Sequence, residues 1–192
     1  MKFSVFKTGA LLLTAVGLFN SLPAMAEQKL VPTQSDISFV SKQMGVPVEG
    51  RFKKFDAQIS FDPAKPEASK MAFTIDVASA SFGAPETDAE LPKAAWFSTA
   101  KFPQATFQSS AVKGTGPGKI EVTGKLTIKG NVRDVVVPVV LTQAGPTTTA
   151  TGTFVLKRLA FKIGEGEWTD TSMVADDVQV KFKLALTGVG KI

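Results

Sequence analysis

Residues 120–130 read IEVTGKLTIKG, and their alternation sets the fold class. Ile120, Val122, Gly124, Leu126 and Ile128 share one parity, and Glu121, Thr123, Lys125, Thr127 and Lys129 share the other. A period of two, apolar on one side and charged or hydroxylated on the other, is a β-strand with one dry face and one wet face. The run is long for a strand, and Gly124 in the middle of the dry face marks a bend or a close backbone approach. Long, one-sided, bent antiparallel strands build closed barrels and sandwiches. What the dry side covers is therefore the functional question.

The same pattern recurs on either side of this strand. Residues 133–142 carry VVVPVVL, in which Pro138 cannot donate to a ladder and so marks an edge or a bulge. Over 150–163, Gly152, Phe154, Leu156 and Arg158 share a parity before Leu159, Phe161 and Ile163 take the other, which predicts a bulge at Arg158-Leu159. Residues 177–188 turn Val178, Val180, Phe182, Leu184 and Leu186 to one side. Towards the N-terminus, strands are predicted over 104–112 (Ala105, Phe107), 70–79 (Met71, Phe73, Ile75, Val77), 48–61 (Phe55, Ala57, Ile59, Phe61) and 29–43 (Ile37, Phe39). Phe52 is out of parity with the later residues of its strand, so a bulge is expected near Lys53-Lys54. Turn residues separate the runs at Met44-Gly45, Asp62-Pro63, 114–118, Gly130-Asn131 and 145–149.

Only 87–97 does not read as β. Thr87-Asp88-Ala89-Glu90 has the composition of a helix N-terminus, and Pro92 interrupts the segment that leads on to Trp96. These short helical turns lay Trp96 and Phe97 across a barrel end, either as a core plug or as a ligand contact. The sum is an all-β fold: an eight-stranded antiparallel barrel with a short helical excursion after strand three. A barrel of that size is filled by side chains or holds one slim ligand.

Lys2 and Lys7, the apolar run 9–19 and Ala24-Met25-Ala26 have the pattern of a secretory signal cleaved after residue 26, and the run is short for a membrane span. The expected mature chain is a single domain over 27–192, exported to a bacterial periplasm. It contains no cysteine, so burial rather than disulfides must hold it together. Histidine and tyrosine are also absent. That removes the commonest general base near neutral pH, Ser-His-Asp and Cys-His nucleophilic sites, and metal or haem sites built on imidazole or thiolate. Lysines and acids are interspersed, with no basic stripe of the kind that nucleic acid requires. The composition points to holding a ligand rather than transforming one, with no cofactor.

Ordered short motifs then carry a resemblance. Gly50-Arg51-Phe52 with Phe55, Phe61-Asp62-Pro63, Ile75-Asp76 with Ser79, Phe102-Pro103 with Ala105 and Phe107-Gln108-Ser109, residues 124–130, Arg158 with Phe161 and Ile163-Gly164, and the valine-rich 174–180 resemble the YceI-like family across the whole of 27–192. The resemblance implies a lipocalin-like exported barrel whose interior holds a long apolar chain: a polyisoprenoid, an isoprenoid quinone or a fatty-acid type of amphiphile. Thr33-Gln34-Ser35 and residues 83–90 depart from the histidine-bearing segments of many members and are similar to the branch found with b561-type membrane cytochromes. Expected partners are accordingly a long-chain lipid, polyisoprenoid or quinone, with transient contact to an inner-membrane cytochrome and a homodimer as further expectations. Nucleic acid is not among them.

The residues expected to line the interior are Phe39 from the first strand, Phe55, Ile59 and Phe61 from the second, Phe73 and Ile75 from the third, and Trp96 and Phe97 from the excursion. Phe107, Leu126, Ile128, Phe154, Leu156, Phe161, Val180 and Phe182 complete the lining from the later strands. A charged head group needs a cation at the mouth, for which Arg51, Lys53 and Arg158 are candidates. Arg158 is alternatively paired with an acid that fixes the bulge. Glu165, Glu167 and Asp170 lack a calcium-loop spacing.

Overall fold

Eleven strands form one antiparallel sheet in the computed structural model, which describes residues 27–192. The expected signal segment lies outside the described residues. The strands are β1 (Lys29–Leu30), β2 (Asp36–Gln43), β3 (Val46–Phe52), β4 (Phe55–Ser60), β5 (Lys70–Asp76), β6 (Ala80–Ser81), β7 (Gln104–Gly116), β8 (Lys119–Ile128), β9 (Asn131–Ala144), β10 (Thr147–Lys157) and β11 (Asp177–Thr187), with α1 (Pro85–Glu90) between β6 and β7. The ladder runs β4-β5-β7-β8-β9-β10-β11-β2-β3-β6, and β1 adds to β11. Its two ends are joined through the chain, because β4 continues β3 and β6 continues β5. Taking β1 with β2, β3 with β4 and β5 with β6 as single kinked staves, beside β7 through β11, leaves the eight predicted strands. The sheet thus curls back on itself.

The kinks have local causes. At Lys53-Lys54 the chain leaves the β2 ladder, and the Ser79 hydroxyl accepts both N–H groups, at 3.1 and 3.0 Å. On the neighbouring stave Val77–Ser79 makes a 3₁₀ turn, capped by Asp76, whose carboxylate accepts from Ala78 N–H at 3.0 Å. The parity break at Phe52 therefore marks a true step. Pro138 marks another. The β9–β10 ladder stops at the pair Val139–Gly152, so residues 153–157 of β10 pair only with β11. Two-residue hairpins close β2–β3 and β8–β9, with positive φ at Met44 (48°) and Gly45 (80°) and at Lys129 (49°) and Gly130 (73°). This backbone suits the right-handed twist of the strands it joins.

Three expectations need correction. The bulge at Arg158-Leu159 does not form. β10 ends at Lys157, and Arg158–Phe161 winds into a 3₁₀ turn closed by Lys162 in the left-handed region (φ 57°). The helix begins with Pro85 in its first turn rather than behind a Thr87 cap, and Asp88 instead accepts from Ser81 Oγ (2.7 Å) and Phe82 N–H (2.6 Å). Lys129, which parity places on the wet face, lies in the turn and is buried.

Two apolar clusters fill the interior. One gathers around Val112, Val122, Val137 and Leu184. The other gathers around Val77, Leu91, Phe97 and Phe161 beneath the loops that cap one end of the barrel.

Candidate functional site

Glycine sets the shape of the bore. Gly50 lies opposite Phe39 across β2–β3, Gly152 lies opposite Phe182 across β10–β11, and Gly124 lies diagonal to Phe107 across β7–β8. A methyl group on any of the three would collide with the neighbouring ring. The rings therefore lie down into notches in the wall that only a residue without a Cβ leaves open. Gly124 is the close approach expected within IEVTGKLTIKG. This is how a barrel rich in phenylalanine keeps space along its axis.

That space is two chambers in line. The wider one has a volume of about 130 Å³ and an apolar lining apart from Thr148, whose hydroxyl oxygen accepts from Gln143 at 3.2 Å. The second, of about 110 Å³, lies under the cap and is walled by Phe39, Phe52, Phe82, Leu91, Trp96 and Phe97 among others. Ile37, Ile75, Leu126, Phe154 and Val180 face both chambers and form the waist between them. An apolar cavity of about 150 Å³ holds one benzene ring, so each chamber has room for a short piece of chain. Admitting a longer chain requires the waist side chains to swing aside.

All the sequence-predicted lining residues reach one chamber or both, except two. Phe55 packs on the first cluster from a shallow outer depression, and Phe161 is buried beneath the cap at 2 % exposure. Sequence reasoning missed Met71, Val122, Val139, Ala150 and Thr148 as lining, although all continue the inward parity of their strands.

The head-group candidates are not brought together. Arg51 and Lys53 are exposed beside the outer depression that holds Phe55, away from both chambers. Arg158 is buried at 1 % exposure and is fully engaged. Its Nε donates to Ala175 O (3.0 Å), Nη1 to Ile163 O (2.9 Å) and Gly164 O (3.2 Å), and Nη2 to Trp168 O and Val174 O, both at 2.6 Å. A guanidinium has five N–H donors, and five carbonyls take them, leaving none for a ligand. Burial lowers its pKa, while the charge of Asp176 opposes the shift. Asp176 itself accepts from Leu159 N–H at 2.9 Å, so the acid steadies the turn rather than pairing directly with the guanidinium.

Lys129 does for the other cap loops what Arg158 does for 163–176. Its Nζ donates to Ala94 O and Lys162 O, both at 2.7 Å, and to the Glu165 carboxylate at 2.8 Å. The hydrogen bond and charge of Lys129 hold the Glu165 pKa below its ordinary value of 4.5. The two cations are braces for the cap, and the backbone carbonyls they serve could not be read from residue spacing.

A groove lies outside the cap, lined by Gln43, Met44, Glu86, Glu90, Met173 and neighbours. Ser41, Phe82, Leu91 and Trp96 face both this groove and the capped chamber. Wide chamber, capped chamber and groove thus succeed one another, divided by the waist and by the Trp96 wall.

A family model for the YceI-like domain matches residues 28–186 of this chain. The chain belongs to the YceI-like family. Its fold is similar to the crystal structure of BcnA from Burkholderia cenocepacia, with a TM-score of 0.80 and 50% identity over 82% of this chain and 99% of that one. It also shares its fold with a polyisoprenoid binding domain from Saccharophagus degradans implicated in plant cell wall breakdown, with a TM-score of 0.68 and 18% identity over 84% of this chain and 98% of that one. The UPF0312 protein of Ectopseudomonas mendocina is 37% identical over 118 residues, 59% of this chain and 62% of the relative, so the match spans about three fifths of that protein. The YceI-like barrel expected from the sequence motifs is therefore the fold observed.

Proposed function

We propose that this protein binds and carries a long-chain apolar amphiphile of the polyisoprenoid, isoprenoid quinone or fatty-acid type within the barrel of the exported chain, acting in the periplasm. The observation that carries this reading is the pair of aligned chambers whose walls are almost wholly apolar, held open by rings folded into glycine notches. Membership of the YceI-like family and the shared fold with a polyisoprenoid binding domain support it. Each methylene moved from water into such a bore gains about 0.8 kcal/mol, so a chain of about twenty carbons gains on the order of 15 kcal/mol before ordering and association costs. That gain needs no hydrogen bond, and it separates chain lengths weakly, because one methylene changes binding by only about 1–3 kcal/mol.

Native mass spectrometry of the protein purified gently from its producing cells tests the reading. A carrier retains a lipid mass or takes up added geranylgeraniol. Bare polypeptide that also fails to take up added isoprenoid refutes it.

A further inference from the structure

The two ends of the barrel are closed in different ways. The cap is braced by two buried cations, Arg158 and Lys129, whose bonds run from 2.6 to 3.2 Å. At the other end the chain leaves β11 through Gly188, whose φ of 77° lies in the left-handed region. A methyl group there would lie 2.4 Å from Glu27 O, so only glycine can turn this tightly against the Glu27 backbone. The turn sends residues 188–192 across the end of the barrel. On one side they meet Gln143, near the end of β9. On the other, a methyl group on Gly190 would touch Pro63, just past β4. Those two staves lie on opposite sides of β11 in the sheet. Val189 points inward from the crossing segment. It is buried, and it belongs to the same apolar cluster as Phe61, Leu141 and Leu186, which line the wide chamber.

Little holds this segment down. Among the described residues, 189–192 hydrogen-bond to one side chain only. Gln143 Nε2 lies 3.4 Å from Val189 O, 3.2 Å from Gly190 O and 3.2 Å from Thr148 Oγ1, and Ile192 N–H donates to Gln143 Oε1 at 3.3 Å. A carboxamide nitrogen has two N–H donors. Three acceptors compete for them, whereas the donors of Arg158 and the carbonyls it serves match one for one. Gly190, Lys191 and Ile192 are exposed, so burial of Val189 is the main hold.

We propose that residues 188–192 are a strap over the door of the bore: the ligand chain enters and leaves at the wide-chamber end when the strap lifts Val189 out of its cluster, while the cap stays shut. This rests on the lipid-binding reading above and adds the route of entry to it.

Timed uptake and release of tritiated geranylgeraniol test the route. Val189→Ala weakens only the closed strap, since Val189 lines neither chamber. Both rates should therefore rise roughly tenfold while their ratio, the affinity, stays within about twofold. Lys129→Met, which loosens the opposite end, should leave both rates as they are. The chain has no cysteine, so Gly190→Cys combined with Pro63→Cys can be bridged selectively by a short bis-maleimide. With the strap pinned, uptake should slow by about tenfold or more relative to the same protein unbridged. Unchanged rates in Val189→Ala overturn the proposal, as does faster uptake in Lys129→Met alone, which would place the door at the cap. If Val189→Ala also weakens affinity, it has disturbed more than the strap, and the bridged pair decides: undiminished uptake overturns the proposal. If the wild type binds no geranylgeraniol, the lipid-binding reading falls and takes this proposal with it.

Discussion

Adding one methyl group at Gly50 should close part of the bore without unfolding the barrel. That methyl would lie 2.5 Å from Cζ, 2.8 Å from Cε2 and 3.1 Å from Cε1 of Phe39. Carbon atoms rest about 3.5–4.0 Å apart, so the ring must retreat by roughly 1–1.5 Å. The three nearest atoms all belong to the side chain, and the φ of Gly50 is outside the left-handed region, so the backbone can stay where it is. The ring retreats into the capped chamber of about 110 Å³ that it already lines. Displacing the equivalent of two ligand methylenes costs about 1.6 kcal/mol of binding, a weakening of roughly 15-fold. Stability should barely change. Alanine stiffens the unfolded chain by about 0.4–1 kcal/mol, against about 0.5–1.5 kcal/mol for an off-rotamer ring. The net is within about 1 kcal/mol, or about 4 °C in the melting midpoint. Titration with geranylgeraniol beside a thermal melt reads both quantities. Wild-type affinity at an unchanged midpoint would refute the notch reasoning. A midpoint lowered by roughly ten degrees would show that the ring cannot swing and that the notch serves packing alone.

Arg158→Met should lower stability by about 3–5 kcal/mol, because it strands buried carbonyls on the cap; a midpoint within about 3 °C of wild type would contradict that role. Arg51→Ala and Lys53→Ala should change stability by no more than about 0.5 kcal/mol and leave lipid affinity as it was, as exposed side chains away from both chambers do. Lys129→Met should cost about 2–4 kcal/mol and loosen the cap, read as faster amide exchange at residues 94–97 and 162–165; unchanged exchange there would count against the brace. Glu165 has a pKa held below 4.5 in the folded state. A depressed carboxylate stabilises the fold above its unfolded pKa, and that contribution is lost as pH falls through the folded one. Glu165→Gln should therefore narrow its stability gap from wild type as pH drops below about 4.5, and a gap that stays constant through the acid range would exclude the ion pair as its source.

Much of the fold was legible because a barrel stave repeats every second residue. Parity alone located the eight staves, the step at Phe52, the close approach at Gly124 and most of the side chains that face the chambers. It failed where the chain stops being a strand. Lys129 continues the wet parity of β8 but falls in a two-residue turn that tucks it inward. Arg158 continues the dry parity of β10 but opens a 3₁₀ turn. The backbone carbonyls that both serve lie 5 to 35 residues away along the chain, and carbonyls leave no trace in a pattern of residue types. Arg158 looked like a head-group ligand because its charge is visible in the sequence and the acceptors that consume it are not.

The position of β11 has a consequence for assembly. It is the last strand, yet it pairs both with β10 and with β1 and β2, as in Phe182 with Ile37. The hairpins from β4 to β10 can zip up one after another as the polypeptide emerges, but the ring stays open until its final stave arrives. A nascent chain that ends before residue 177 is an oily trough with two raw edges, prone to pair with its copies. Closure over so long a separation is slow. Whatever escorts this chain must shield it to the end, and a few residues trimmed from the C-terminal strand should harm it far more than the same number removed from the turn at 114–118.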